Sequence, residues 1–145
     1  MKRSKNKAIA PNVWSCIGGK MEANEMNDPL SACFREIEEE TGIKRENIHN
    51  LRLRYIIFRQ KKNIIRQNYI YFGETDKMEC KITEEGATHW INENELDKKM
   101  YSQTYAEMIN HFMQNKSSLN IFTGIAGMEN GMLKMNWSVL QDFEN

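Results

Sequence analysis

Residues 35–43 read REIEEETGI: one arginine, then Glu36, Glu38, Glu39 and Glu40 packed around a single isoleucine. The segment sits inside a well-punctuated helix. Upstream, Asp28 followed by Pro29 is a strong helix start, an acceptor at the N-cap and an imino acid where no N–H is needed. Downstream, Gly42 supplies the left-handed residue on which helices commonly end. A helix is therefore expected over residues 29–41. Its glutamates oppose the helix dipole, and each like-charged i,i+4 pair costs roughly 0.2–0.5 kcal/mol. A compensating cation is the natural expectation.

The helical repeat sorts these side chains. With Glu36 at the origin and about 100° per residue, Leu30, Cys33, Phe34, Ile37 and Thr41 span an arc from about 60° to about 160°. Glu39 and Glu40 fall near about 300° and about 40°, on either side of Glu36, while Glu38 lies apart near about 200° and faces solvent. Three carboxylates thus share one face beside an apolar stripe. Hard oxygen donors in this arrangement suit magnesium; the plain alternative is a solvated acidic face.

Outward from the helix, composition narrows the choices. The 145 residues suit one domain, residues 1–145, and carry 20 basic and 20 acidic side chains. That balance gives no electrostatic case for nucleic-acid or membrane partners. Cys16, Cys33 and Cys80 are odd in number and lack CxxC spacing, which argues against a disulfide framework or a zinc site and for a reducing, cytoplasmic setting. The basic N-terminus has no apolar core of a secretory signal. His49, His89 and His111 share no metal-ligand spacing.

Secondary structure follows from pattern. Residues 2–11 read as loop, and residues 12–17 (NVWSCI) as a short strand running into Gly18-Gly19. Residues 51–58 and 64–72 form two strands of an antiparallel pair around a charged turn at residues 59–63. Residues 88–91 are a further short strand. Residues 93–99 and 101–115 are helical, the second with an apolar stripe of Tyr105, Met108, Ile109, Phe112 and Met113. Asn130-Gly131 between apolar segments marks a hairpin. The class is α/β.

The stretch from Gly19 to Ile43 resembles the Nudix box, G-x5-E-x7-R-E-U-x-E-E-x-G-U, where U is a bulky aliphatic. Gly19, Glu25, Arg35, Glu36, Ile37, Glu39, Glu40, Gly42 and Ile43 supply the fixed positions in order, although nine residues rather than seven separate Glu25 from Arg35. The extra residues precede the helix start and leave the second half of the box in register. The resemblance, to MutT-like Nudix hydrolases, implies an α/β/α sandwich with a mixed central sheet. Because the chain starts at its Lys2-Arg3-Ser4 segment, the family's usual N-terminal strand is expected to be missing, with the Asn130-Gly131 hairpin filling part of the gap.

The same resemblance implies a pyrophosphatase: metal-dependent hydrolysis of the pyrophosphate linkage in a nucleoside diphosphate derivative, by water attack on phosphorus. It makes Glu39 and Glu40 the main metal ligands, Glu36 a further ligand or the base, and the Gly18 carbonyl another ligand. Arg35 orients the glutamates. Glu85, with Glu84 second, is the later acidic residue that serves as ligand or base. The cofactor is Mg2+, with Mn2+ as substitute. Lys20 either contacts phosphate or is solvated, and Trp14 and Trp90 either stack a base or pack. The chain's only prolines, Pro11 and Pro29, leave the proline mark of the ADP-ribose subgroup unmatched downstream of the box. A small-molecule nucleotide, a nucleoside triphosphate including oxidised purine forms, is the substrate that remains; a homodimer is compatible with this reading. The alternatives are a catalytically silent Nudix-fold module that binds nucleotide, and a plain acidic interaction helix.

Overall fold

The computed structural model describes residues 1–6, 10–96 and 98–143. In chain order the elements are β1 (Lys2–Arg3), α1 (Pro29–Thr41), β2 (His49–Lys61), β3 (Ile64–Glu74), β4 (Gly86–Ala87), α2 (Gln103–Gln114), β5 (Ile121–Glu129) and β6 (Met132–Leu140). A four-stranded sheet runs β3-β2-β5-β6, and β1 and β4 form a separate two-stranded ribbon. β2 is antiparallel to β3 and parallel to β5, so the central sheet is mixed. The expected hairpin is β5–β6, turning on Asn130 (φ 51) and Gly131 (φ 79), and it joins the central sheet rather than standing apart. Two positive-φ residues at the turn match the strand twist, which is why Asn-Gly suits the position.

The sheet separates the two helices. α2 lays Met108 and Phe112 against a core of Tyr55, Ile57, Ile70, Phe122 and Met135. Phe112 stacks on Phe72 with ring centroids 4.0 Å apart. Tyr71 follows Ile70 on the strand and so points the other way; there its phenol senses Cys33 of α1. Gly124 is required by close approach, since a Cβ there would fall 2.4 Å from the Trp137 ring. This is the α/β class with a mixed central sheet expected from the sequence.

Five local expectations change. Residues 12–17 are not a strand; Trp14 alone makes single bridges to Lys2 and Tyr101. The ladder cannot lengthen because β1 is two residues long and Asn12 turns the chain at φ 59. β1 itself falls within the expected loop of residues 2–11, of which residues 7–9 lie outside the described residues. Residues 88–91 do not continue β4, because Thr88 bonds Lys81 at both backbone and hydroxyl instead. Residues 93–99 shorten to a 3-10 turn at Glu93–Glu95, capped by the Asn92 side chain, with Asp97 outside the described residues. Finally, β2 and β3 continue through most of the expected charged turn.

Arg54 departs most from simple alternation. A register shift between Leu53 and Tyr55 makes it the extra residue of a bulge. Its guanidinium is therefore turned inward, 1% exposed, donating to the Asn115 carbonyl at the end of α2 over 3.1 Å and lying over Phe112. A cation at a helix C-terminus meets the negative end of the dipole. Among the described residues no helix is long and apolar enough to cross a membrane.

Met108, 1% exposed, is the core's test position. Met108→Ala is expected to lower unfolding free energy by about 2–5 kcal/mol, read by urea denaturation. A loss below about 1 kcal/mol would show that α2 does not seal this face.

Candidate functional site

Both ends of α1 are fixed by the residues the sequence marks. Asp28 Oδ1 accepts from the Ser31 N–H at 3.1 Å, and Gly42, at φ 79, donates its N–H to the Glu38 carbonyl. Thr41 Oγ1 donates to the Ile37 carbonyl and accepts from the Ile43 N–H, which fastens the exit. The glutamates are thus carried on a helix whose register cannot drift.

Arg35 gathers them. Its Nε donates to Glu25 Oε1 at 2.7 Å and Nη2 to Glu25 Oε2 at 2.9 Å, a bidentate pair. Nη1 donates to Glu36 Oε1 at 2.8 Å and to Glu39 Oε2 at 3.1 Å. Nη2 also reaches the Lys20 carbonyl at 3.2 Å. One guanidinium therefore ties three carboxylates to the loop ahead of the helix. The hydrogen bond from Arg35, followed by a backbone bond from Glu22, holds the Glu25 carboxyl down to about 2. The extra residues between Glu25 and Arg35 do not break this pair. The 3-10 turn at Ala23–Glu25, closed by the bond from the Glu22 N–H to Glu25 Oε2, returns the side chain to α1.

The two glycines each take one of the remaining contacts. The Gly18 N–H donates to Glu40 Oε2 at 3.0 Å. At Gly19 a Cβ would lie 2.4 Å from Glu36 Oε1, so the absence of a side chain makes room for that carboxylate. Glu40 is 4% exposed. Burial raises its carboxyl first, against the Gly18 bond, and the negative charges of Glu36 and Glu85 raise it further. Glu36 and Glu85 therefore each lie within electrostatic reach of Glu40.

Glu39 is more open, and Glu38 faces solvent. Among the described residues no three His, Cys, Asp or Glu side chains converge on one point; Arg35 draws Glu36 and Glu39 toward itself while Gly18 draws Glu40. The donor set nevertheless fits a hard divalent cation. Its oxygens are carboxylate and backbone, and the repulsion bearing on Glu40 is of the kind that a cation relieves.

A cavity of about 760 Å³ opens beside these groups, lined by Gly18, Gly19, Lys20, Trp14 and Trp90. Trp14 packs against His89, with Lys99 Nζ 5.5 Å from its ring centroid. Trp90 is 50% exposed. Glu84 and Glu85 are both exposed on the loop before β4, and only Glu85 acts on Glu40. Two contacts add to what the sequence indicates. Lys81 Nζ donates to the Glu39 carbonyl over 2.7 Å, and Glu25 is the principal partner of Arg35. The box spacing offered a signal for Glu25; a lysine forty-two positions from its partner offered none.

The family model described as NUDIX domain matches residues 1–112. No curated protein and no solved structure matches the chain.

Glu25 makes an acid-stability test. Its carboxyl is depressed from 4.5 to about 2 by folding, so its contribution is complete above 4.5 and is lost as pH falls toward about 2. Glu25→Gln is expected to remove part of the stability loss over that window, measured by denaturation at stepped pH. An unchanged pH slope would contradict the pairing.

Proposed function

This chain belongs to the Nudix family, and from that premise we propose that it is a single-domain, MutT-like pyrophosphohydrolase that cleaves nucleoside triphosphates, oxidised purine forms included. The family acts on pyrophosphate linkages of nucleoside diphosphate derivatives, generally with divalent ions such as Mg2+. The observation that carries the proposal is the Arg35-centred array, with Glu36 and Glu39 on one guanidinium and Glu40 held by Gly18 beside them.

In this reading Glu36, Glu39, Glu40 and the Gly18 carbonyl hold the cation, and Mn2+ substitutes for Mg2+. When bound, the ion neutralises phosphate oxygens and favours ionisation of water. Arg35 keeps the Glu36 and Glu39 carboxylates correctly turned. Glu85 receives the proton of the attacking water. The water oxygen bonds to phosphorus as the bridging P–O bond breaks, and the leaving phosphate departs with the bonding electrons. Lys20, at the cavity wall, meets a phosphate oxygen, and Trp14 offers a face to the base. The free cysteines, Cys16, Cys33 and Cys80, support a cytoplasmic setting.

The test is phosphate and pyrophosphate release from a nucleotide panel with Mg2+. Turnover is expected for the wild type, and Glu39→Gln is expected to lose at least about two orders of magnitude, roughly 2.7 kcal/mol. Equal rates in the two proteins would overturn the assignment. Absent turnover with retained nucleotide binding would favour a silent binding module.

A further inference from the structure

One stretch of the cavity wall carries arginines, while Glu74 and Glu79 line another part of it. Arg3, Arg59 and Arg66 all line the cavity, together with Ser102 and Tyr105. Arg59 and Arg66 are directly opposed across the β2–β3 ladder, so both project to the same face. Like charges in that position destabilise a sheet. Tyr105 ties the group together: its phenol is raised to about 12, by burial first, and it senses the charges of both Arg59 and Arg3. Ser102 lies three positions earlier, one helical turn from Tyr105 at the start of α2.

Among the described residues none of Arg3, Arg59 and Arg66 is ion-paired with a carboxylate. Arg59 makes one side-chain bond, from Nη2 to Asn68 Oδ1 at 3.3 Å. Among the described residues the buried Nε of Arg3, the buried Nε of Arg59 and the buried Oγ of Ser102 have no hydrogen-bond partner. Buried donors without acceptors are rare in folded proteins, and each costs about 1–3 kcal/mol. The three residues that carry these atoms line one cavity, beside an opposed arginine pair, and acceptor oxygens carrying negative charge would suit them. Guanidinium forks match phosphate in both charge and geometry.

We propose that Arg3, Arg59 and Ser102, with Arg66 at the entrance, form an anion subsite for a phosphate group of the substrate beyond the two joined by the scissile linkage. The substrate class is therefore a nucleotide with at least three phosphates. The third is either in the same chain, as in a nucleoside triphosphate, or on the second moiety. This rests on the pyrophosphohydrolase reading for the identity of the ligand, but not for the anion binding itself. The subsite is connected to the glutamates through the Cys16–Gly18 segment: Cys16 acts electrostatically on Tyr105, while Gly18 holds Glu40.

The experiment has a binding arm and a kinetic arm. Inorganic tripolyphosphate is titrated calorimetrically into wild type, Arg59→Gln, Arg3→Gln and Arg66→Gln in buffer with chelator and no divalent metal. Binding is expected for the wild type, at least tenfold weaker for Arg59→Gln and Arg3→Gln. Arg66, which is exposed, can be replaced without disturbing the core, and Arg66→Gln is expected to weaken binding about threefold. This variant keeps the test decisive if the other two fail to fold. No binding by the wild type, or equal binding by the folded variants, overturns the subsite.

In the kinetic arm, with Mg2+, a nucleoside triphosphate and a nucleoside diphosphate sugar phosphorylated on the sugar are each compared with the unphosphorylated nucleoside diphosphate sugar. Arg59→Gln is expected to narrow the preference for one of the phosphorylated substrates at least tenfold through KM. The substrate affected identifies the source of the third phosphate. Tripolyphosphate binding without turnover of any substrate would sink the hydrolase reading and leave the subsite standing. Turnover with no arginine-dependent preference or binding would do the reverse.

Discussion

Everything in the site depends on where one guanidinium sits. Arg35 is planar, permanently charged and donates to Glu25, Glu36, Glu39 and the Lys20 carbonyl. Without it, acidic side chains crowded at the dipole's unfavourable end would swing apart into solvent. With it, they become a cross-link between α1 and the preceding loop. The cost of removing one member of such a partly buried array is mostly the charge left unpaired. That accounts for the presence of Glu25: it satisfies the side of Arg35 turned away from the other two carboxylates.

The support for this array is distributed over the chain. Gly18 and Gly19 bring the loop backbone up to Glu40 and Glu36, one by donating a hydrogen bond and the other by leaving space. Lys81, from the far side of the β-hairpin, fixes the carbonyl of Glu39. The central sheet draws two of its four strands, β5 and β6, from beyond residue 112, where the family match ends. Those strands carry Phe122, Met135 and Trp137, which complete the packing around Tyr55. The sheet is thus completed from the C-terminal side, and it also carries Arg59 and Arg66.

What could be read from the sequence was whatever local chemistry determines. Asp28-Pro29 and Gly42 bracket α1, Asn130-Gly131 turns the last hairpin, and the apolar stripe of α2 meets the core, because caps, turns and periodicity act within a few residues. The face shared by Glu36, Glu39 and Glu40 was legible for the same reason. Their division between Arg35 and Gly18 was not, since it depends on a loop folding back from residues 18–25. Strand lengths failed wherever a partner strand was short, as at Trp14 and Thr88. Arg54 is buried because one bulge reverses the alternation that would have left it in water. The arginine subsite needs β2, β3, α2 and the N-terminal segment together, and no spacing along the chain announces it.

The central claim is that the carboxylates organised by Arg35 form a divalent-cation site. The most direct test is an anomalous difference map from crystals soaked in Mn2+. A peak in contact with the Glu36, Glu39 and Glu40 carboxylates, with Arg35 still holding Glu25, is the expected result. Ordered, metal-free carboxylates at saturating Mn2+, still bonded only to Arg35 and Gly18, would contradict it.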